Sequence, residues 1–277
     1  MASGLKWWHK PSKPYNFKYM KTLFVALLGF TSIAHASEYL TWDTLEKNFV
    51  AAGGDAKALS HMRCFVENHK KTEFIPGDVY TPEYIGRCTL NRPLTMGNDR
   101  ILAIIDYTKP SNMRRFFLID RLTGAISATA AAHGRFGAGF FNRKVSENKN
   151  SVLHAKYFSN EVGSNAPSSG FFLAGQEYKG KFGRSLILHG LEKGVNDNAC
   201  DRAIVIHKHM LVSRNKAYVL SSGCPMVSPK ILDHIVTLLR GKTGADIAYE
   251  GAGSPVFIYS EREKNWAAGT CNGQYSL

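Results

Sequence analysis

A chain of 277 residues, 44% hydrophobic and 21% charged, carries enough apolar side chains for a full core and too many for a disordered or fibrous protein. Its formal net charge of +13 favours polyanionic partners. No groove-reading helix, no interleaving of aromatic with basic residues and no RNA motif accompanies that charge, so nucleic acid is not an expected partner.

In chain order, the text from Met20, "MKTLFVALLGFTSIAHASE", has one lysine, an uncharged apolar stretch and the small-x-small run Ala34-His35-Ala36. This is the build of an export signal cut after Ala36. The apolar stretch, Thr22 to Ala36, falls short of the roughly 20 residues a bilayer-spanning helix needs, so export without a stable membrane span is expected. The first nineteen residues precede a signal that is complete without them, which fits a start at Met20. Removing residues 1–36 takes away five lysines and no acid, lowering the net charge from +13 to +8. Outside the membrane, the polyanions on offer are cell-wall polymers and lipid headgroups.

The segment "TWDTLEKNFVAAGGDAKALSHMRCFVENHKK" predicts two short helices broken at Gly53-Gly54, with Asp55 capping the second and Leu59, Met62 and Val66 on one face. From "RILAIIDYTKP" onward the pattern changes to short β-rich runs: "RRFFLID", "AISATAAAHG", "SGFFLAG", "RSLILHG", "RAIVIH", "AYVLSS", "ADIAYEG" and "SPVFIYS". One helix interrupts them, "SPKILDHIVTLLRG", with Ser228 as N-cap, Pro229 at its first position, Ile231, Ile235, Leu238 and Leu239 as its buried stripe and Gly241 as its stop. The fold expected is mostly β with minor α, a β-sandwich or barrel preceded by a small helical segment. Residues 37–97 are assigned to the segment packing on the core and residues 98–277 to the main domain.

Five cysteines, at 64, 88, 200, 224 and 271, leave one thiol over in an oxidising compartment. With Cys224 as the odd one, the other four allow three pairings. Adjacency favours Cys64 with Cys88 and Cys200 with Cys271.

Period-two geometry in "RAIVIHKH" puts Ala203, Val205, His207 and His209 on one strand face and Ile204, Ile206 and Lys208 on the other. Sixteen residues after His207 ends that run, Gly223 precedes Cys224 in "SSGCP". A thiol acts as a nucleophile only as thiolate, and an imidazole in reach takes its proton. A glycine before the cysteine lets consecutive N–H groups point at one spot, the arrangement of an oxyanion hole built on Gly223 and Cys224. A structural cysteine and a core histidine are the plainer alternatives. His207 and His209 with His189 or Cys224 would also make a zinc ligand set, but no second metal motif accompanies them, and neither metal nor cofactor is expected. His133 reads as structural, His189 as structural or cleft-lining. Ser168-Ser169-Gly170 and Asn160 are candidates for a cleft wall, and Asn196-Asp197-Asn198 for orienting backbone.

The blocks "GLEKG", "NDNA", "RAIVIH" and "SSGCP", set in "FSNEVGSNAPSSGFFLAGQEYKGKFGRSLILHGLEKGVNDNACDRAIVIH", resemble the murein L,D-transpeptidase catalytic domain family, a branch of the YkuD-like enzymes, over about residues 98 to 250. The resemblance implies a YkuD-like fold, Cys224 as nucleophile and His207 as general base. It also implies peptidoglycan as partner: the Cys224 thiolate attacks the tetrapeptide stem between its third residue, diaminopimelate, and the terminal D-alanine. A diaminopimelate amine of a second stem then gives a 3-3 cross-link, or water gives a trimmed tripeptide as in an L,D-carboxypeptidase. A non-catalytic murein-binding module of the same fold is the reading from another class. Two departures stand out: Ser222 replaces the histidine many such enzymes carry before Gly-Cys, and Pro225-Met226 replaces an arginine after it. Ser222 is grouped with Gly223 as orienting the site, and Arg202, Arg184 and His189 are candidates for holding substrate, with Arg202 or Arg184 standing in for the lost arginine.

Overall fold

The computed structural model describes residues 39–75, 93–137, 150–240 and 253–275. The expected leader, Cys88, Gly241 and the run "ADIAYEG" lie outside them.

Helix α1 (Trp42–Ala51) starts at Thr41, whose side chain accepts from the Thr44 amide, and stops at Gly53, held at φ +91°. Helix α2 (Ala56–His69) begins where expected, the Asp55 carboxylate accepting from the Lys57 amide at 2.9 Å. Its apolar stripe includes Leu59, Met62, Phe65 and Val66.

Ten strands follow among the described residues: β1 (Ile101–Asp106), β2 (Phe116–Asp120), β3 (Ile126–Thr129), β4 (His133–Gly134), β5 (Gly170–Gly180), β6 (Gly183–Gly190), β7 (Val205–Lys208), β8 (Leu220–Ser221), β9 (Met226–Val227) and β10 (Pro255–Tyr259). Eight form one nearly closed mixed sheet in the order β3-β2-β1-β10-β5-β6-β7-β9; β4 and β8 pair separately. The β1–β10 and β7–β9 pairs are parallel and the rest of the large sheet is antiparallel. The mostly β expectation therefore holds, with a single curled sheet at its centre.

Both sheet faces are apolar, which is why the strands read as nearly continuous hydrophobic runs. One face carries Leu102, Ile104, Phe117, Phe171, Leu173, Phe257 and Tyr259 and is sealed by α1 and α2. The other carries Ile105, Phe172, Leu186, Ile206 and Val256 and is filled by helix α3 (Pro229–Leu239). Ser228 caps α3 and Pro229 opens it, as expected. Its buried stripe is rotated from the expected one: Leu232, Ile235, Val236 and Leu239 are buried, while Ile231 and Leu238 are only partly so. Two overlapping stripes at helical spacing were available, and packing against the sheet selected the one through 232 and 236.

The short helix α4 (Glu261–Lys264) is tied to the start of β5 through a buried carboxylate. Glu192 accepts from the Phe171 amide at 2.7 Å and pairs with Arg262 at 2.6 Å. Beyond α4 the chain returns to α2, where Cys271 is bonded to Cys64 across a separation of 207 residues. This excludes both pairings that adjacency favoured; Cys200 is also in a disulfide. Sequence neighbours were not spatial neighbours, because the C-terminal segment folds back over the N-terminal helices.

Candidate active site

The candidate site lies on the same sheet face as the aromatic core, but beyond the reach of α1 and α2. Ile187 on β6, Val205 on β7, Cys200 and Cys224 cluster there. The expected alternation holds: Val205 faces this cluster while Ile204 and Ile206 face α3. The chain approaches β7 through a corner in which Ala203 adopts φ +53°, a left-handed conformation rare for a residue with a Cβ. Strain of this kind persists where surrounding bonds enforce it. Here Ala203 N donates to Cys200 O and Ile204 N to Ala199 O.

Cys224 is the free thiol among the described cysteines and is 8% exposed. Its turn needs glycine at 223, where φ is +123° and a Cβ would lie 2.8 Å from the Ala166 carbonyl oxygen and 2.7 Å from Ile204 Cδ1. Ser221 organises the turn: Gly223 N donates to Ser221 Oγ at 3.0 Å, and Ser221 Oγ donates to the Cys224 carbonyl at 2.7 Å. Two expectations change as a result. The exposed Ser222 orients nothing seen here, its buried neighbour Ser221 does, and the Gly223 amide is already occupied rather than free for an oxyanion. The sulfur itself donates to the Ala203 carbonyl at 3.3 Å and lies within reach of the amides of Val205 and Cys224.

His207 is brought alongside by strand pairing. It is in register with Met226, and its amide donates to the Pro225 carbonyl at 3.3 Å. The ring is 2% exposed and stacks on Phe182, 4.2 Å between centroids and 18° between planes. Nδ1 lies 3.0 Å from the Lys208 carbonyl. A carbonyl only accepts, so Nδ1 carries the proton and Nε2 keeps the lone pair a general base requires. No hydrogen bond joins this ring to the Cys224 sulfur among the described residues. Burial pushes the thiol up to about 11 and the imidazole down to about 4. The resting pair is therefore neutral, thiol and imidazole, rather than an ion pair.

Of the remaining candidates, Arg202 lies at the site and Arg184 does not. Arg184 pairs with Glu177 at 2.5 Å and Asp233 at 3.0 Å, tying the β5–β6 hairpin to α3. Arg202 is partly buried. It donates to Ser159 O at 2.5 Å, Ser168 Oγ at 2.6 Å, Ala166 O at 2.6 Å and Ser164 Oγ at 3.3 Å, so its fork is filled by protein and not free to hold a substrate carboxylate. His189 lines no cleft: it is buried beneath Gly175, with Nδ1 4.0 Å from Cys200 Sγ, and burial holds it down at about 4. His133 is structural as expected, accepting from the fully buried Arg115 at 2.6 Å. Ser168 and Asn160 serve the wall from within, the latter donating to Asp197 at 2.6 Å. The Asn196-Asp197-Asn198 cluster orients backbone, Asn196 donating to the carbonyls of Ser169 and Phe171 and Asp197 accepting from Gly194 N. Among the described residues, no three His, Cys, Asp or Glu side chains converge as for a metal ion. Sequence reasoning missed Ser221 and Phe182. A serine at Cys−3 and an aromatic in the β5–β6 turn were the available signals, both too common to single out.

A mostly β domain with a nearly closed mixed sheet, and a thiol and an imidazole on neighbouring segments at its edge, is the class this fold and site define. The chain belongs to the L,D-transpeptidase catalytic domain family, which matches residues 75–245. Among solved structures it is similar to a mutant of the helical cell shape determining protein Pgp2 from Campylobacter jejuni, at 12% identity over 72% of this chain and 55% of that one, with a TM-score of 0.34. It is also similar to L,D-transpeptidase 1 from Mycobacterium tuberculosis, at 10% identity over 62% and 67% of the two chains, with a TM-score of 0.30. The chain thus spans about half the length of Pgp2. No curated protein matches it.

Proposed function

We propose that this chain is a cell-wall enzyme that acts on peptidoglycan stem peptides by cysteine acyl transfer, an L,D-transpeptidase forming 3-3 cross-links. Membership of the L,D-transpeptidase catalytic domain family supports an enzyme of the peptidoglycan layer. The observation that carries the reading is Cys224, an unbridged thiol on a glycine-dependent turn beside the strand that bears His207, whose Nε2 keeps its lone pair.

The chemistry follows from the neutral resting pair. Rotation about the Cys224 Cα–Cβ bond takes the sulfur from the Ala203 carbonyl toward His207. As sulfur attacks the carbonyl carbon ahead of the terminal D-alanine, the thiol proton passes to His207 Nε2. The tetrahedral oxyanion collapses, the C–N bond breaks, and the imidazolium gives its proton to the departing amine, leaving a thioester on Cys224. An amine of a second stem then attacks the thioester, loses its proton to His207 and releases the sulfur, which is reprotonated. This reading assigns the chemistry to residues 98–277, with helices α1 and α2 of the preceding segment packed on the sheet. Export to the periplasm or cell envelope belongs to the same reading, and the Cys64–Cys271 bridge suits an oxidising compartment.

Purified tetrapeptide muropeptides incubated with the chain and weighed by mass spectrometry test the proposal. Dimers joined through the third residues support it, whereas loss of D-alanine alone establishes a carboxypeptidase. Products unchanged by Cys224→Ala would leave a murein-binding module.

A further inference from the structure

The corner before β7 presents two groups to the same place. Ala203, in its left-handed conformation, aims its carbonyl at the Cys224 sulfur, and Arg202, one residue earlier, sends its guanidinium beneath the turn that bears that sulfur. The contact is close: a Cβ on Gly223 would lie 3.4 Å from Arg202 Nη2 and 2.8 Å from the Ala166 carbonyl oxygen, itself an acceptor of the same Nη2. The four acceptors of Arg202, on Ser159, Ser164, Ala166 and Ser168, all belong to one loop segment. They supply hydroxyl and carbonyl oxygens and no carboxylate, so the positive charge is held in place but not neutralised.

We propose that Arg202 is a positioning residue for the Cys224 nucleophile: it pins the Ser159–Ser168 segment under the Gly223–Cys224 turn and sets an uncancelled positive charge beside the thiolate as it forms. It thereby supplies from before the histidine the cation that this chain lacks after Gly-Cys. The role rests on the acyl-transfer reading of Cys224. The other groups that bear on the sulfur do not duplicate it. Tyr107, at the end of β1, is a buried phenol held neutral, coupled to the thiol but bringing no positive charge, and His207 is neutral at rest. Arg202 is the cation whose field opposes the upward push of burial on the thiol. Its own ionisation is lowered by burial to about 10, which leaves it charged at neutral pH.

Alkylation of Cys224 by iodoacetamide, followed by intact mass at pH 8, tests this without any cell-wall substrate, because below the thiol's ionisation midpoint the rate follows the thiolate fraction. Arg202→Gln removes the charge. Ser164→Asp leaves the guanidinium in place and cancels its charge from 3.3 Å, which decides the matter even if the Gln variant does not fold. Both are expected to react about tenfold more slowly than the wild type, the effect of a one-unit rise in the thiol midpoint. Asn48→Ala, which removes a hydrogen bond to the Gly124 carbonyl in the helical half, is expected to lower the melting temperature while staying within about twofold of the wild-type rate. A folded Arg202→Gln or Ser164→Asp chain that is alkylated at the wild-type rate or faster overturns the assignment. The expected rate differences in a chain that turns over no muropeptide would refute the proposed activity, and with it the catalytic role, while leaving the effect of Arg202 on the sulfur standing.

Discussion

One face of the central sheet is built in two halves, and they are held by different physics. Under α1 and α2 the half around Phe171 is sealed by stacked rings: Phe65 and Phe257 flank Phe171 at 4.3 and 4.2 Å. Across β6 and β7 the same face changes to Ser185, Ile187, Val205 and His207, two polar and two aliphatic side chains in place of the rings. There the wall is a loop segment fastened by the hydrogen bonds of Arg202 and by Ser221 in the Gly223–Cys224 turn. The contrast teaches that continuous burial does not distinguish core from site in this fold. What does is the switch along one face from dispersion between rings, which excludes ligands, to a hydrogen-bonded wall, which can be approached by one.

The sharpest way to break the comparison is at the site. His207→Ala is expected to lower the acylation rate by about 10²- to 10⁴-fold, the range for loss of a positioned base. An unchanged rate in that variant removes His207 from the chemistry. In the other half, Phe171→Ala is expected to cost about 3 to 5 kcal/mol in denaturant unfolding, because it empties the middle of a three-ring stack. A loss under about 1 kcal/mol would mean the aromatic half is not the stabilising one.

The Cys64–Cys271 bridge fastens the C-terminal segment over the helices, so Cys271→Ser is expected to lower stability by about 2 to 4 kcal/mol. Alkylation of Cys224 should remain within about twofold of wild type, since the bridge belongs to the aromatic half. Acid is the last lever, and it acts without a substitution. His189 and His207 are held at about 4 and His133 at about 3 by burial, below the unfolded value of about 6.5. As pH falls below about 6.5 the unfolded chain takes up protons that the folded chain refuses. Stability is therefore full above that pH and declines toward pH 4, by up to about 1.4 kcal/mol per pH unit for each histidine. Asp106 and Glu192, raised by burial, act in the opposite sense and offset part of that decline between about pH 6.5 and 4. A melting temperature that stays level over that interval would show that these rings are not held neutral.

Much of this was legible locally. The Asp55 cap and the Gly53-Gly54 break mark the helices, and the alternation through Val205 and His207 places the imidazole on the face of the thiol. The odd cysteine count singled out a free thiol, and the Gly-Cys pair located it. Less legible were the roles set by distant segments. From the sequence, Arg202 reads first as a solvated structural arginine and only second as a stand-in for the lost arginine, until its four acceptors, 34 to 43 residues earlier in the chain, are in view. Adjacency misjudged the partner of Cys64, and period alone misjudged which stripe of α3 is buried.

The sequence by itself determined the elements, the candidate thiol and imidazole and the conformational demand at Gly223, since each depends on caps, on strand period or on one residue's allowed φ. Only the tertiary structure decided which cysteines join, which serine shapes the turn, where Arg202 spends its donors, and that the thiol and imidazole rest uncharged. Those outcomes depend on burial and on approaches between segments far apart in the chain, and neither quantity exists until the sheet has curled and its loops have closed over it.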